Sequence, residues 1–209
     1  MSWVSMVVLF AYASLVVELV FFHVPSVASS QNLWKIDDEY NGELRKANIN
    51  TENWSLGRKT IFLFLPIVFI VSTFLYPISY LTGLIPTSWH TTLWIHSQLL
   101  ISVAIGLIII GRLITFTSVL AIRKDNSQMD DEFELHEDSL YGKSRNPIQL
   151  GMYIFGIGLL MLFPHPLFIL GLIFYVCYMH YKIRIEEDFL TVKFGAAYVR
   201  YMQNTRRYF

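Results

Sequence analysis

The sequence predicts an all-α integral membrane protein with about five transmembrane helices, the last two forming a tight hairpin followed by a cytoplasmic C-terminal helix. Three observations support this fold class. Hydrophobic residues make up 54% of the 209 residues and charged residues only 15%, a more apolar composition than that of soluble proteins. Long apolar runs alternate with polar loops, and basic residues occupy only alternate loops.

The first three apolar runs cover residues 3–24, 61–85 and 92–122. No Lys or Arg precedes the first run and Glu18 interrupts it, which favours a retained anchor over a cleaved signal peptide. The second run contains Pro66 and Pro77, which neighbouring transmembrane helices can accommodate. The third would make about 46 Å of helix, longer than a hydrocarbon core of roughly 30 Å. We therefore expect it to tilt or protrude.

Arg112 is the one basic residue inside these runs. Its long side chain can either snorkel to the membrane interface or face a polar cavity. Because long basic side chains usually snorkel, the sequence favours the interface for Arg112.

Two shorter apolar runs, 148–163 and 167–179, are separated only by Pro164-His165-Pro166. This spacing predicts a helical hairpin with a structural histidine at its tip. Gly151, Gly156 and Gly158 have the small-residue spacing of close helix contacts. Residues 180–209 are charged and aromatic, which predicts a helix leaving the membrane.

The placement of basic residues orients these spans. They lie in the first loop, in the third loop and after the last run, whereas the N-terminus and the turns at 86–90 and 164–166 carry none. By the positive-inside rule the protein is multi-pass, with its N-terminus outside and its C-terminus in the cytoplasm. An odd number of crossings is required, and five satisfies this.

Composition also limits partners and sites. The 16 basic and 16 acidic residues balance, so net charge indicates no nucleic-acid partner, and membrane lipid is the expected surroundings. Cys177 is the only cysteine, which excludes an intrachain disulfide, and we assign no metal site. We expect one membrane domain over 1–209, with three spans and a loop in 1–122 and a functional core in 123–209. The oligomeric state is left open.

A hairpin places its two ends side by side, so Arg145, Asn146 and Pro147 at its start should lie near Glu186 and Glu187 at its end. This cytoplasmic mouth would combine a basic group, two carboxylates and an apolar cavity. Such a site suits a polar cofactor that meets a lipid-like substrate.

The residues at this mouth also carry a family resemblance. The segment RNPIQLG at 145–151 is similar to the R-H-P-x-Y-x-G segment, and EEDFLTVKFGAAYVRY at 186–201 to the E-E-x-x-L-x-x-x-F-G-x-x-Y-x-x-Y segment, of isoprenylcysteine carboxyl methyltransferases and related phospholipid methyltransferases. The resemblance covers roughly residues 135–207. Asn146 replaces the usual His, Gln149 the usual Tyr, and the family's closing proline is missing.

The resemblance implies an enzyme, a membrane methyltransferase that binds S-adenosylmethionine on the cytoplasmic side. Carried over residue by residue, the implied cofactor-binding positions are Leu135, Tyr141, Ser144, Arg145, Asn146, Pro147, Glu186 and Glu187. The chemistry agrees, because the cofactor's sulfonium and ammonium groups need carboxylates and its own carboxylate needs donors such as Arg145.

For the acceptor, the resemblance implies a lipophilic molecule entering from the bilayer, first of all an isoprenylcysteine-like carboxylate. His180 lies where the carboxyl methyltransferases carry a substrate-binding arginine, so we take His180 and Arg145 as the candidate catalytic residues. Phospholipid or small-molecule methylation stays open. So do a nicotinamide-dependent reductase of the steroid-reductase type and a non-enzymatic membrane subunit.

Overall fold

The computed structural model of the protein describes residues 3–18, 20, 55, 57, 65–84, 97–126 and 140–208. Within these ranges the regular structure is helical, with no strand, which agrees with the all-α prediction. The helices are α1 Trp3–Glu18, α2 Leu65–Leu81, α3 Gln98–Asn126, α4 Leu140–Lys143, α5 Pro147–Leu162, α6 Pro166–Phe194 and α7 Ala196–Asn204.

Each of the five predicted apolar runs contains a helix, but the helices differ in length. By length and composition, α3 and α6 are able to cross a membrane, whereas α1, α2 and α5 are shorter apolar helices. Many large apolar side chains are exposed, such as Phe10, Leu99 and Leu113, a surface that suits lipid better than water. The number of five spans and their orientation remain predictions.

Glycines bring α3 and α5 into close contact. A Cβ atom on Gly111 would lie 2.6 Å from the carbonyl oxygen of Gly151, and one on Gly158 would lie 2.8 Å from that of Ala104. Real side chains do not approach backbone this closely, so these positions require glycine. A Cβ atom on Gly156 would lie 2.7 Å from Cδ1 of Leu172 in α6, the end of a side chain rather than backbone. The predicted packing role of the hairpin glycines is therefore confirmed.

The hairpin turn also forms as predicted. The His165 imidazole accepts a hydrogen bond from the Leu167 backbone N–H at 3.2 Å and caps α6, with Pro166 as its first residue. The predicted structural role of His165 is confirmed. Helix α6 continues unbroken past the apolar run to Phe194, where Gly195 ends it at a positive φ of 55°. The charged residues after 179 therefore extend from the same rigid helix.

Phe155 of α5 lies at the centre of the bundle. Its ring contacts Tyr12 of α1 and Phe74 of α2 at centroid distances of 6.0 and 6.4 Å. The Arg112 guanidinium of α3 lies 5.9 Å from the same ring, within cation–π range. Side chains from four helices thus meet at one buried aromatic ring.

The predicted snorkelling of Arg112 is wrong. Arg112 is only 7% exposed; its Nη2 donates to Glu18 Oε2 at 2.5 Å and its Nε to Ser14 Oγ at 2.9 Å. Its Nη1 has no hydrogen-bond partner among the described residues. The reason is that α1 places the carboxylate of Glu18 and the hydroxyl of Ser14 next to Arg112 of α3. A guanidinium that is paired in this way can stay buried, whereas an unpaired one would extend to the interface.

Candidate functional site

The candidate site is built at the end of the hairpin opposite its tip. Helix α5 begins at Pro147, whose missing N–H is not needed in a first helical turn. Arg145 and Asn146 come directly before it, and Glu186 and Glu187 lie near the end of α6. The hairpin therefore juxtaposes the two segments that the sequence singled out.

Arg145 is held by acceptors within the protein. Its Nε donates to Glu187 Oε1 at 3.0 Å, and one terminal nitrogen donates to the backbone carbonyls of Met202 and Thr205 at 2.8 and 3.0 Å. Most of this side chain is buried. Arg145 therefore ties the start of α5 to α6 and to the end of α7.

Glu187 accepts hydrogen bonds from two arginines. Besides Arg145, Arg207 donates from Nε to both carboxylate oxygens at 3.1 and 3.0 Å, and from Nη2 at 2.5 Å. Such a bidentate contact is the strong form of an arginine–carboxylate pair, and it raises the pKa of Arg207. Two guanidinium groups share one carboxylate, so this cluster carries a net positive charge.

The C-terminal segment lies alongside the start of the hairpin. Ser144 and Arg206 form a parallel β-bridge, in which the Arg145 N–H donates to the Arg206 carbonyl at 2.8 Å. The Ser144 hydroxyl and the Asn146 amide donate to the Arg207 carbonyl at 3.2 and 3.4 Å. Residues 206 and 207, although about sixty positions later in the sequence, thus form one side of the mouth.

Two tyrosines of α7 seal this arrangement. The Tyr201 hydroxyl donates to the Tyr141 carbonyl at 2.8 Å, and Tyr198 is buried beside it. Burial raises the pKa of Tyr201 to about 12, although the nearby Arg145 acts in the opposite direction. Burial also raises the pKa of Tyr198. Both phenols stay neutral near physiological pH.

Glu186 differs from Glu187 although they are neighbours. Its side chain is exposed, and it makes no hydrogen bond within the part of the chain that the structure describes. Successive helical residues point about 100° apart, which is why one carboxylate enters the cluster and the other does not. Glu186 is therefore available to a ligand.

His180 lies two helical turns before Glu187, on α6. Its Nδ1 is 3.1 Å from the Tyr208 hydroxyl, and the Tyr208 ring packs on that of Tyr153 with 5.7 Å between centroids. Deeper in the hairpin, the buried Gln149 amide donates to the Tyr175 hydroxyl at 2.6 Å. A row of polar groups thus runs along the α5–α6 contact.

Most of the residues that the sequence selected are brought together. Tyr141, Ser144, Arg145, Asn146, Pro147 and Glu187 lie in one cluster with the C-terminal segment, while Leu135 lies outside the described residues. Sequence reasoning missed Arg207, Tyr208, Tyr153 and the partner of Gln149. The only sequence signal for Arg206 and Arg207 was their position at the end of the segment that resembles the family. No sequence signal pointed to Tyr208.

Comparison with known families agrees with the resemblance. Residues 99–197 match the model of a family described as phospholipid methyltransferase. This segment runs from α3 through the hairpin and into α7. No curated protein and no solved structure matches the chain.

Proposed function

Because residues 99–197 belong to the phospholipid methyltransferase family, we propose that the protein is an S-adenosylmethionine-dependent methyltransferase of a membrane. Its site lies at the hairpin mouth. The supporting observation is the Arg145–Glu187–Arg207 cluster, which joins the start of α5, the end of α6 and the C-terminus into one polar structure. Such rigid support is what a methyl transfer needs, because the reaction depends on in-line positioning more than on acid–base chemistry.

The mouth offers groups that fit the cofactor. Glu186 is an exposed residue whose carboxylate can bind an ammonium or sulfonium group. Arg207 is 32% exposed at its side chain even while it binds Glu187, so it can donate to a carboxylate, and Asn146 adds an amide. When bound, S-adenosylmethionine supplies an electrophilic methyl group. Arg145 and Glu187, expected from the sequence to touch the cofactor, act in this proposal mainly by holding the others in place.

The acceptor is a lipophilic molecule that approaches His180. The family description favours a phospholipid, and His180 replaces the permanently charged arginine that would suit an isoprenylcysteine carboxylate. We therefore place a phospholipid amine first and the carboxylate second. A methyl-transfer assay with labelled cofactor, using vesicles that contain each acceptor in turn, decides between them. If no acceptor is methylated and a nicotinamide dinucleotide stabilises the purified protein, a membrane reductase is favoured instead.

The cofactor assignment is tested at Glu186. Glu186→Gln removes one charged hydrogen bond, worth roughly 1.5–3 kcal/mol, and should weaken S-adenosylmethionine binding about ten- to hundredfold. Equilibrium binding to the purified protein measures this. Asp188→Asn is the matched control, because Asp188 is an exposed carboxylate two residues further along α6 and should leave the affinity unchanged. If both variants bind S-adenosylmethionine as tightly as the wild type, the cofactor does not bind at Glu186.

We also propose that the mouth faces the cytoplasm. The positive-inside rule then requires tags at Asn41, Gln128 and Phe209 to be accessible from the cytoplasm and a tag at Thr87 only from outside. These four positions lie outside the described residues. Protease or labelling access in sealed cells and vesicles gives the answer, and Gln128 and Phe209 on opposite faces would contradict the shared mouth.

A further inference from the structure

Tyr208, the last residue that the structure describes, lies against the candidate acceptor residue His180. The Tyr208 hydroxyl is 3.1 Å from His180 Nδ1, and the two rings lie 6.1 Å apart between centroids. Tyr208 reaches this place because the neighbouring Arg207 is fixed on Glu187 and Arg206 is bridged to Ser144. The C-terminal segment therefore positions a phenol next to an imidazole.

The Tyr208 hydroxyl is held in place by its neighbours. Its ring packs on that of Tyr153 with 5.7 Å between centroids, and the Tyr153 hydroxyl donates to the Val176 carbonyl at 3.5 Å. A hydroxyl can donate or accept, and so can a ring nitrogen of histidine, depending on its tautomer. When the Tyr208 oxygen accepts, the donor is the Nδ1–H of His180.

A hydrogen bond from Nδ1–H to Tyr208 would fix the tautomer of His180. A neutral imidazole with its proton on Nδ1 carries a lone pair on Nε2. Among the described residues, nothing hydrogen-bonds Nε2, and no carboxylate contacts the ring. Both features are those of a histidine that is oriented through one ring nitrogen while the other is available to a substrate.

We propose that Tyr208 is a positioning residue that holds His180 in its Nδ1-protonated form, so that Nε2 serves as the base for a protic acceptor. This inference rests on the proposed methyltransferase function and narrows its acceptor class to amines, hydroxyls or thiols. The acceptor atom forms a bond to the methyl carbon as the sulfur–methyl bond breaks, and the sulfur leaves as a neutral thioether. The proton lost by the acceptor passes to His180 Nε2. A carboxylate acceptor has no such proton and would not need the arrangement.

A double-mutant cycle tests whether Tyr208 acts through His180. The full-length protein is assayed in phosphatidylethanolamine vesicles with labelled S-adenosylmethionine. Tyr208→Phe should lower kcat about tenfold and His180→Ala about a hundredfold or more, with cofactor Kd changed less than threefold. The double variant should be no slower than His180→Ala, because the phenol has no other catalytic contact. Tyr181→Phe, an exposed tyrosine beside His180, is the control and should match the wild type.

The tautomer itself provides a readout that does not depend on turnover. Nitrogen-15 NMR of the histidine-labelled protein, recorded about two pH units above the ordinary imidazole pKa, distinguishes protonated from unprotonated ring nitrogens. The signal that disappears in His180→Ala should show protonated Nδ1 in the wild type and a tautomer mixture in Tyr208→Phe.

The possible failures are distinguishable. An Nε2-protonated wild type, or additive losses in the cycle, would overturn the role of Tyr208 and leave the methyltransferase intact. An equal loss of cofactor affinity in Tyr208→Phe would overturn it as well, since that indicates a general collapse of the mouth. A wild type that methylates no acceptor would instead overturn the proposed function, and the NMR result would still decide whether Tyr208 sets the tautomer.

Discussion

In the part of the chain that the structure describes, two buried clusters of oppositely charged side chains are constructed differently. Between α1 and α3, Glu18 meets Arg112 in a single ion pair, and one Arg112 nitrogen has no hydrogen-bond partner in the described part of the chain. At the hairpin mouth, Glu187 binds two arginines, and Arg145 also binds two backbone carbonyls. The first pair balances its charge and holds one helix to another. The second keeps an excess positive charge and joins three chain segments.

The comparison shows that burial alone does not identify a functional charge. Both clusters bury their carboxylate, and each would be costly to break, because removing one partner leaves an uncompensated charge. The two clusters differ in the groups that surround them. Of the two, only the mouth cluster lies beside exposed polar groups that a ligand can reach, namely Glu186 and the outer part of Arg207.

The largest effect should come from Glu187. Glu187→Gln leaves two guanidinium groups facing each other, and arginine cannot neutralise itself by losing a proton. We expect a loss of roughly 3–5 kcal/mol in the free energy of unfolding, measured by thermal unfolding in detergent. Glu186→Gln should change stability by less than about 0.5 kcal/mol, as for other exposed sites. Similar losses for the two variants would mean that the mouth cluster does not hold the fold.

A smaller and asymmetric effect should appear in the other pair. Arg112→Met leaves Glu18 buried without its partner, but a carboxyl group can take up a proton and become neutral. We expect a loss of about 1–3 kcal/mol, less than for Glu18→Gln, which strands the arginine. The double variant Glu18→Leu with Arg112→Met should recover most of the loss, since an apolar pair often replaces a buried ion pair without cost. No recovery in unfolding measurements would indicate a further role for this pair.

The third effect concerns the helix contact that supports both clusters. Gly111→Ala places a methyl group against the backbone of Phe155 and Gly151, and such overpacking should cost about 1–3 kcal/mol. Gly106→Ala lies on the same helix, where an added Cβ meets nothing within 4 Å, and should be neutral or gain up to about 1 kcal/mol from helix propensity. Thermal unfolding of the two variants in parallel is the measurement, and equal stabilities would show that α3 and α5 do not pack this closely.

Several features could be predicted because they depend on local sequence. The apolar runs contain helices, Pro-His-Pro makes the hairpin turn, and the spacing of Gly151 and Gly158 marks a close helix contact. The juxtaposition of Arg145 with the end of α6 also follows from the hairpin itself, since antiparallel neighbours return to their starting level. Leu135 could not be compared, because it lies outside the described residues.

Other features could not be predicted because they depend on which helix faces meet. The sequence offers Glu18 and Arg112 far apart in the chain, and nothing in either run indicates that the two helices pack with those faces together, so snorkelling was the better sequence-based expectation. For the same reason Glu186 and Glu187 could not be told apart, although a rotation of about 100° between successive helical residues separates a structural carboxylate from a ligand-accessible one.

Composition and apolar periodicity by themselves predicted a helical membrane protein, and the matched motifs predicted a resemblance to membrane methyltransferases, in agreement with the family match over residues 99–197. Both are encoded locally, by residue type and by fixed spacing along one or two helices. Only the tertiary structure decided that the C-terminal residues return to the mouth, that Arg207 shares Glu187 with Arg145, and that Tyr208 meets His180. These contacts join segments that have no common periodicity, and they form because the buried charges and hydrogen-bonding groups of one segment need partners that only the other can supply.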